Sequence, residues 1–89
     1  MKKWKIIEAE KYDERIRALT WAIVCANLYL ICFETEKDET LKTDYARMFT
    51  DAMEAIRDYS RESYRIIAES VHKPRIPVVK KWLEEHPAK

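Results

Sequence analysis

Arg47, Arg57, Arg61 and Arg65 are the only arginine or lysine residues between Tyr45 and His72, whereas the rest of the chain carries ten lysines and three arginines. A guanidinium is a planar fork of donors that matches phosphate or carboxylate in bidentate fashion and stacks on aromatic faces. If residues 44–72 form one helix, Arg57, Arg61 and Arg65 step by four along one face, Tyr64 lies at its edge and His72 follows two turns after Arg65. Arg47, Arg57, Arg61, Tyr64, Arg65 and His72 are therefore the candidate contacts for an anionic ligand, phosphate-bearing and nucleotide-like, or for an acidic protein partner. The same spacing also allows a solvated face on which Glu54–Arg57, Asp58–Arg61 and Glu62–Arg65 pair at i,i+3, or an interface between copies.

One enzymatic pattern is present. Arg65 and His72 form R-x6-H, which resembles the loosest form of the motif of HEPN ribonucleases, a helical family in which Arg and His from paired subunits cleave RNA. That resemblance rests on two residues and implies catalytic roles for Arg65 and His72. Read on its own, His72 is a cation near a helix C-terminus, where the dipole favours it.

Other chemistry lacks its parts. The chain has no glycine, which removes the P-loop, the dinucleotide fingerprint and the nucleophile elbow together. Cys25 and Cys32 lie seven apart, about 10.5 Å along a helix, beyond disulfide reach. They read as reduced core residues of a cytoplasmic protein. No metal or cofactor is expected, and no Glu-x-x-His pair suggests a di-iron bundle. Lys2, Lys3, Lys5, Lys80, Lys81 and Lys89 make both termini basic. The acidic sector of Asp51, Asp58, Glu62 and Glu69 beside the arginines argues against nucleic acid, and the net charge of +1 gives no long-range steering.

The elements that must position these residues are helical. With no glycine for tight hairpins, 47% hydrophobic and 37% charged residues, the composition indicates an all-α single domain, 1–89. The spacing predicts a hairpin of two long helices, about 13–35 and 44–72, with a short C-terminal helix at about 77–86. Residues 1–12 read as an extension of the first helix or a short strand, with helix favoured, and Asp13 as its N-cap. Thr40, Thr43 and Asp44 are the candidate caps of the second helix. Pro74 ends it, and Pro77 opens the third at its first position.

In the first helix Ile16, Leu19, Ile23, Ala26, Leu30 and Phe33 form one apolar seam. Trp21, Val24, Leu28 and Ile31 form a second on the opposite side. In the second helix Tyr45, Phe49, Ala52, Met53, Ile56, Tyr59, Ser60, Ser63, Ile67 and Val71 make a broad apolar sector. A helix apolar on both sides must be covered on both sides, so a homo-oligomer is expected with Trp21, Val24, Leu28 and Ile31 at its interface. Asn27 would fix register between copies or bond a neighbouring backbone.

The uncharged run Ala18 to Phe33 spans about 24 Å as a helix, short of a roughly 30 Å hydrocarbon core, which argues against a membrane span. In size and architecture the chain resembles small oligomeric helical proteins by which bacteriophages block or sequester host-defence components, nucleotide signals among them. The resulting expectation is a non-enzymatic oligomeric binding protein using its arginine face. The alternative is a protein-interaction module that docks on a host protein through Trp4, Trp82 and the basic ends, without a small ligand.

Overall fold

The computed structural model describes the backbone of residues 3–87 and the side chains of residues 13–87. Four α-helices run in order, α1 (Lys3–Thr35), α2 (Glu39–Tyr59), α3 (Arg61–Ile66) and α4 (Ile76–Glu85), with a π-helical turn at Ile67–Val71 after α3. No strand occurs among the described residues, and α1 begins ten residues before the expected cap at Asp13. The side chains of Trp4 and the N-terminal lysines fall outside the described residues.

α1 and α2 form the hairpin. Ala22, Ala26, Leu30 and Phe33 from α1 meet Ala46, Phe49, Ala52, Met53 and Ile56 from α2 in the buried core, joined by Val79 of α4. Four of these ten residues are alanines, and small side chains at a helix contact let the two axes approach closely. Leu19 and Ile23 of the expected inner seam pack at its margin, while Ile16 is 43% exposed. The π turn and α3 carry the chain back toward α4, which lies on α2.

The connector between α1 and α2 is three residues long, shorter than the sequence suggested. The Glu36 carboxylate accepts the backbone N–H groups of Lys37 and Asp38, each at 3.1 Å. Asp38, in extended conformation, then accepts the Leu41 N–H at 3.0 Å and caps α2. The expected caps Thr40, Thr43 and Asp44 all lie inside the helix. Thr43 is buried and donates to the Glu39 carbonyl at 2.7 Å, so its hydroxyl oxygen serves a tertiary contact described below.

The second expected helix, 44–72, is not continuous. Ser60 adopts φ −160°, ψ 105°, ends α2 by donating its N–H to the Ile56 carbonyl, and starts α3 by accepting the Ser63 N–H on its hydroxyl. One residue thus terminates one helix and caps the next. The break changes the rotational phase of everything after it. Tyr64 and Ala68 become half-buried beside Ile67, while Val71, expected on the inner face, is 52% exposed; Tyr59, the last residue of α2 and also expected on the inner face, is 42% exposed.

A second phase change follows in the π turn, closed by the His72 N–H on the Ile67 carbonyl at 3.0 Å. Residues 72–75 reverse the chain, with the Arg75 and Ile76 N–H groups both donating to the His72 carbonyl. α4 begins at Ile76, one residue before the expected start, with Pro77 in its first turn, where the missing N–H has no intrahelical partner to lose.

Candidate functional site

The six candidate ligand residues separate into distinct environments. Arg47 lines an open cleft of about 690 Å³ at the start of α2, together with Glu39, Thr40, Thr43, Asp44, His86 and Pro87. Its guanidinium is paired with Asp44 at 3.7 Å, and Glu39 adds a second carboxylate, so this cleft carries more negative than positive charge. Two of its lining residues, Thr43 and His86, belong to an aromatic assembly behind it. Trp82 donates its indole N–H to Thr43 Oγ1 at 2.9 Å, Phe33 meets Trp82 edge-on at 5.9 Å, and the Lys42 ammonium sits 4.8 Å from the Phe33 ring centre. His86 stacks on Trp82 at 3.8 Å with its Nδ1 2.9 Å from the Trp82 carbonyl oxygen. With this contact His86 packs at the end of α4, and Trp82 is half-buried.

Arg57 and Tyr64 stay together. They line a smaller cleft, about 250 Å³, between α2, α3 and α4, whose other walls are Phe49, Thr50, Met53, Glu54, Ile76, Val79 and Lys80. The Arg57 guanidinium carbon lies 5.9 Å from the centre of the Tyr64 ring, a cation–π distance. The helix break at Ser60 makes this contact: it swings α3 so that Tyr64 turns inward, half-buried, beside Arg57 one turn before the break. The floor is apolar, with Val79 and Phe49 almost wholly buried. The rim carries two cations, Arg57 and Lys80, against one carboxylate, Glu54. The Thr50 hydroxyl donates to the Ala46 carbonyl at 2.9 Å, which leaves its oxygen as an acceptor.

The expected i,i+3 ion pairs are not formed. Among the described residues the ion pairs within 4.0 Å are Arg47–Asp44 and Arg75–Glu34, the latter at 3.6 Å. Arg57 is thus held by an aromatic face and not by a carboxylate. Arg61 and Arg65 are exposed on α3 and line neither cleft.

His72 departs most from its expected place. It is 2% exposed, packed edge-on against Phe49 at 5.5 Å, and neither ring nitrogen has a hydrogen-bond partner. Burial pushes its pKa below the ordinary histidine value, the nearby Arg75 guanidinium pushes it further, and Glu34 opposes both. The phase changes at Ser60 and the π turn rotate it off the arginine face and into the core. With Arg65 exposed and His72 buried, the two residues of the ribonuclease-like pattern share no face.

Lys80, Thr50, Glu54 and the apolar floor line this cleft and were not among the candidate ligand contacts read from the sequence. Lys80 had a readable signal: it follows Val79, the buried anchor of α4, so it emerges at the edge of the α2 contact. No group of three or more His, Cys, Asp or Glu side chains gathers for a metal among the described residues.

On α1, Trp21, Val24, Leu28 and Ile31 are 69%, 40%, 54% and 57% exposed, forming a continuous apolar stripe opposite the hairpin contact. Within Asp13–Thr35 the most apolar 18-residue window has a mean hydropathy of 1.7, long and apolar enough by composition to cross a membrane, and 22% of that window is buried. No family model, curated protein or solved structure matches this chain, and the geometry of its own clefts and faces carries the functional reading.

Proposed function

We propose that this chain is a small self-associating helical protein that acts by binding, and that its ligand is a small anion with an apolar body, seated in the cleft between α2, α3 and α4. The observation that carries the reading is the unpaired Arg57 guanidinium lying over Tyr64, with Lys80 across an apolar floor of Phe49, Met53, Ile76 and Val79. A phosphate or carboxylate group sits between the two cations, where its bonds are charge-assisted, and the apolar body covers the floor. The volume of about 250 Å³ lies just below the range that encloses drug-sized ligands, roughly 300–1,000 Å³. It therefore suits a phosphorylated ring or an aromatic acid, with a nucleotide only partly enclosed. Sequestration of such an anion is the corresponding role. The stripe on α1 is covered by a second copy.

The test is a titration of isotope-labelled protein with phenyl phosphate, inorganic phosphate and benzoate, read by amide and methyl chemical shifts. Phenyl phosphate is expected to shift residues 49–57, 64 and 76–80 and to bind more tightly than inorganic phosphate. Arg57→Gln with Lys80→Gln removes the response, and raising the salt concentration weakens it. Shifts unchanged in the double variant, or spread over Arg61 and Arg65 instead, overturn the assignment of this cleft. Absence of any anion response turns the reading toward a protein-interaction module.

A further inference from the structure

We infer that the exposed stripe of α1 is covered by the same stripe of a second copy running antiparallel, about a two-fold axis that crosses the stripe midway between Val24 and Leu28, level with Ala26 along the helix; this rests on the self-association proposed above. Trp21, Val24, Leu28 and Ile31 step by three, four and three, the spacing of a two-helix seam, and they lie opposite Ala22, Ala26, Leu30 and Phe33, which α2 already covers. The stripe is flanked on one side by Ala18, Cys25 and Cys32, of which both cysteines are half-buried. On the other side it is flanked by Thr20, Asn27 and Glu34, all exposed or half-exposed. α1 can therefore accept a second helix without disturbing the hairpin.

Three features of this chain choose the antiparallel arrangement over the parallel one. The first is volume. Antiparallel pairing sets Trp21 against Ile31 of the second copy and Val24 against Leu28, so each layer joins a larger side chain to a smaller one. Parallel pairing stacks Trp21 on Trp21 and Val24 on Val24, one layer too thick and one too thin for even packing.

The second is charge. Arg17 continues the stripe beyond Trp21, and Thr35, beside Glu34, continues it beyond Ile31. Antiparallel helices bring Arg17 to the Glu34–Thr35 end of the second copy, whereas parallel helices oppose Arg17 to Arg17. Opposed helix dipoles favour the same choice. The third is Asn27, which lies beside the proposed axis on the flank where each copy meets its own image. An amide carries both donor and acceptor and can pair with itself. An isologous contact of this kind closes at two copies.

The experiment uses the unaltered protein, half of it labelled with carbon-13 and nitrogen-15 and half unlabelled, and records filtered Overhauser contacts between copies together with the solution mass. Within one chain Trp21 and Ile31 are ten residues apart, about 15 Å along the helix, so a Trp21–Ile31 contact can arise only between copies. The expected result is a mass double the 10.7 kDa of the chain, Trp21–Ile31 and Val24–Leu28 contacts, and conversion to the single-chain mass by Leu28→Glu. A dimer showing Trp21–Trp21 and Ile31–Ile31 contacts overturns the antiparallel inference and leaves self-association standing. A dimer without contacts from this stripe overturns the choice of surface. A single-chain mass overturns self-association itself, and binding of that monomer to phosphatidylcholine vesicles assigns the stripe to a lipid surface.

Discussion

Replacing His72 with leucine is expected to stabilise the protein at neutral pH and to remove part of its sensitivity to acid. His72 is 2% exposed and both ring nitrogens lack a partner, and an unsatisfied buried polar group costs about 1–3 kcal/mol. Leucine has similar volume, keeps the contact with the Phe49 edge and carries no polar atom. A gain of roughly 1 kcal/mol at pH 7.5 follows after some loss of shape complementarity, or about 4–8 °C in Tm for a domain of this size.

The pH dependence of the same site has a definite sign. The folded-state pKa of His72 is lowered, first by desolvation, then by Arg75, with Glu34 in opposition. The unfolded chain, at about 6.5, therefore takes up the proton first. Stability associated with neutral His72 is fully present above about pH 6.5 and is lost as pH falls from there toward the depressed folded value. One unit below the unfolded pKa the loss is at most about 1.4 kcal/mol.

Urea titrations of both proteins at pH 7.5, 6.5 and 5.5, at one protein concentration, separate this effect from all others, because every other titrating group is common to the two and cancels in the difference. The gap in favour of His72→Leu should widen between pH 7.5 and 5.5, by at most about 1.4 kcal/mol. A gap that stays constant with pH, or a variant less stable than the parent at pH 7.5, refutes the account of His72 as a neutral, unpartnered core residue.

Two further outcomes are expected from the packing. Ser60→Ala removes the hydroxyl that accepts the Ser63 N–H at 3.2 Å, so urea denaturation should show a loss of about 1 kcal/mol, the usual worth of such a cap. Trp82→Phe deletes the indole donor to Thr43 Oγ1 and shrinks the surface on which His86 stacks; a loss of about 1–2 kcal/mol is expected from the broken bond to a buried hydroxyl, with Tm read by circular dichroism.

The hairpin was legible because periodicity is a property of many residues at once. Ala26, Leu30 and Phe33 on α1 and Phe49, Ala52, Met53 and Ile56 on α2 occupy the inner faces that their spacing assigns. What the spacing could not supply was the phase beyond residue 59. A continuous helix from 44 to 72 has no proline or glycine to break it, yet the broad apolar sector already contained a warning in Ser60 and Ser63, two polar residues on a face meant for the core. Serine competes for backbone groups and so favours caps, and here it ends one helix and begins another. Once that break is present, the arginine face divides. Arg57 keeps Tyr64, Arg61 and Arg65 turn outward, and His72 turns in.

The location of that break also decides what a ligand would meet first. α3 and the π turn contain no buried residue, whereas the α1–α2 hairpin holds most of the core. Local opening is governed by how much buried contact a segment must surrender, so the segment from Ser60 to Val71 can lift from α2 at a small fraction of the free energy of global unfolding. Tyr64 is the cleft wall on that segment, and Arg57 is the wall on the rigid one. An anion bridging Arg57 and Lys80 under Tyr64 would bind the closed form and not the lifted one. Ligand affinity and the closure of one short helix are then a single linked equilibrium, and Ser60, which does not itself line the cleft, tunes both through the conformation it imposes on the chain.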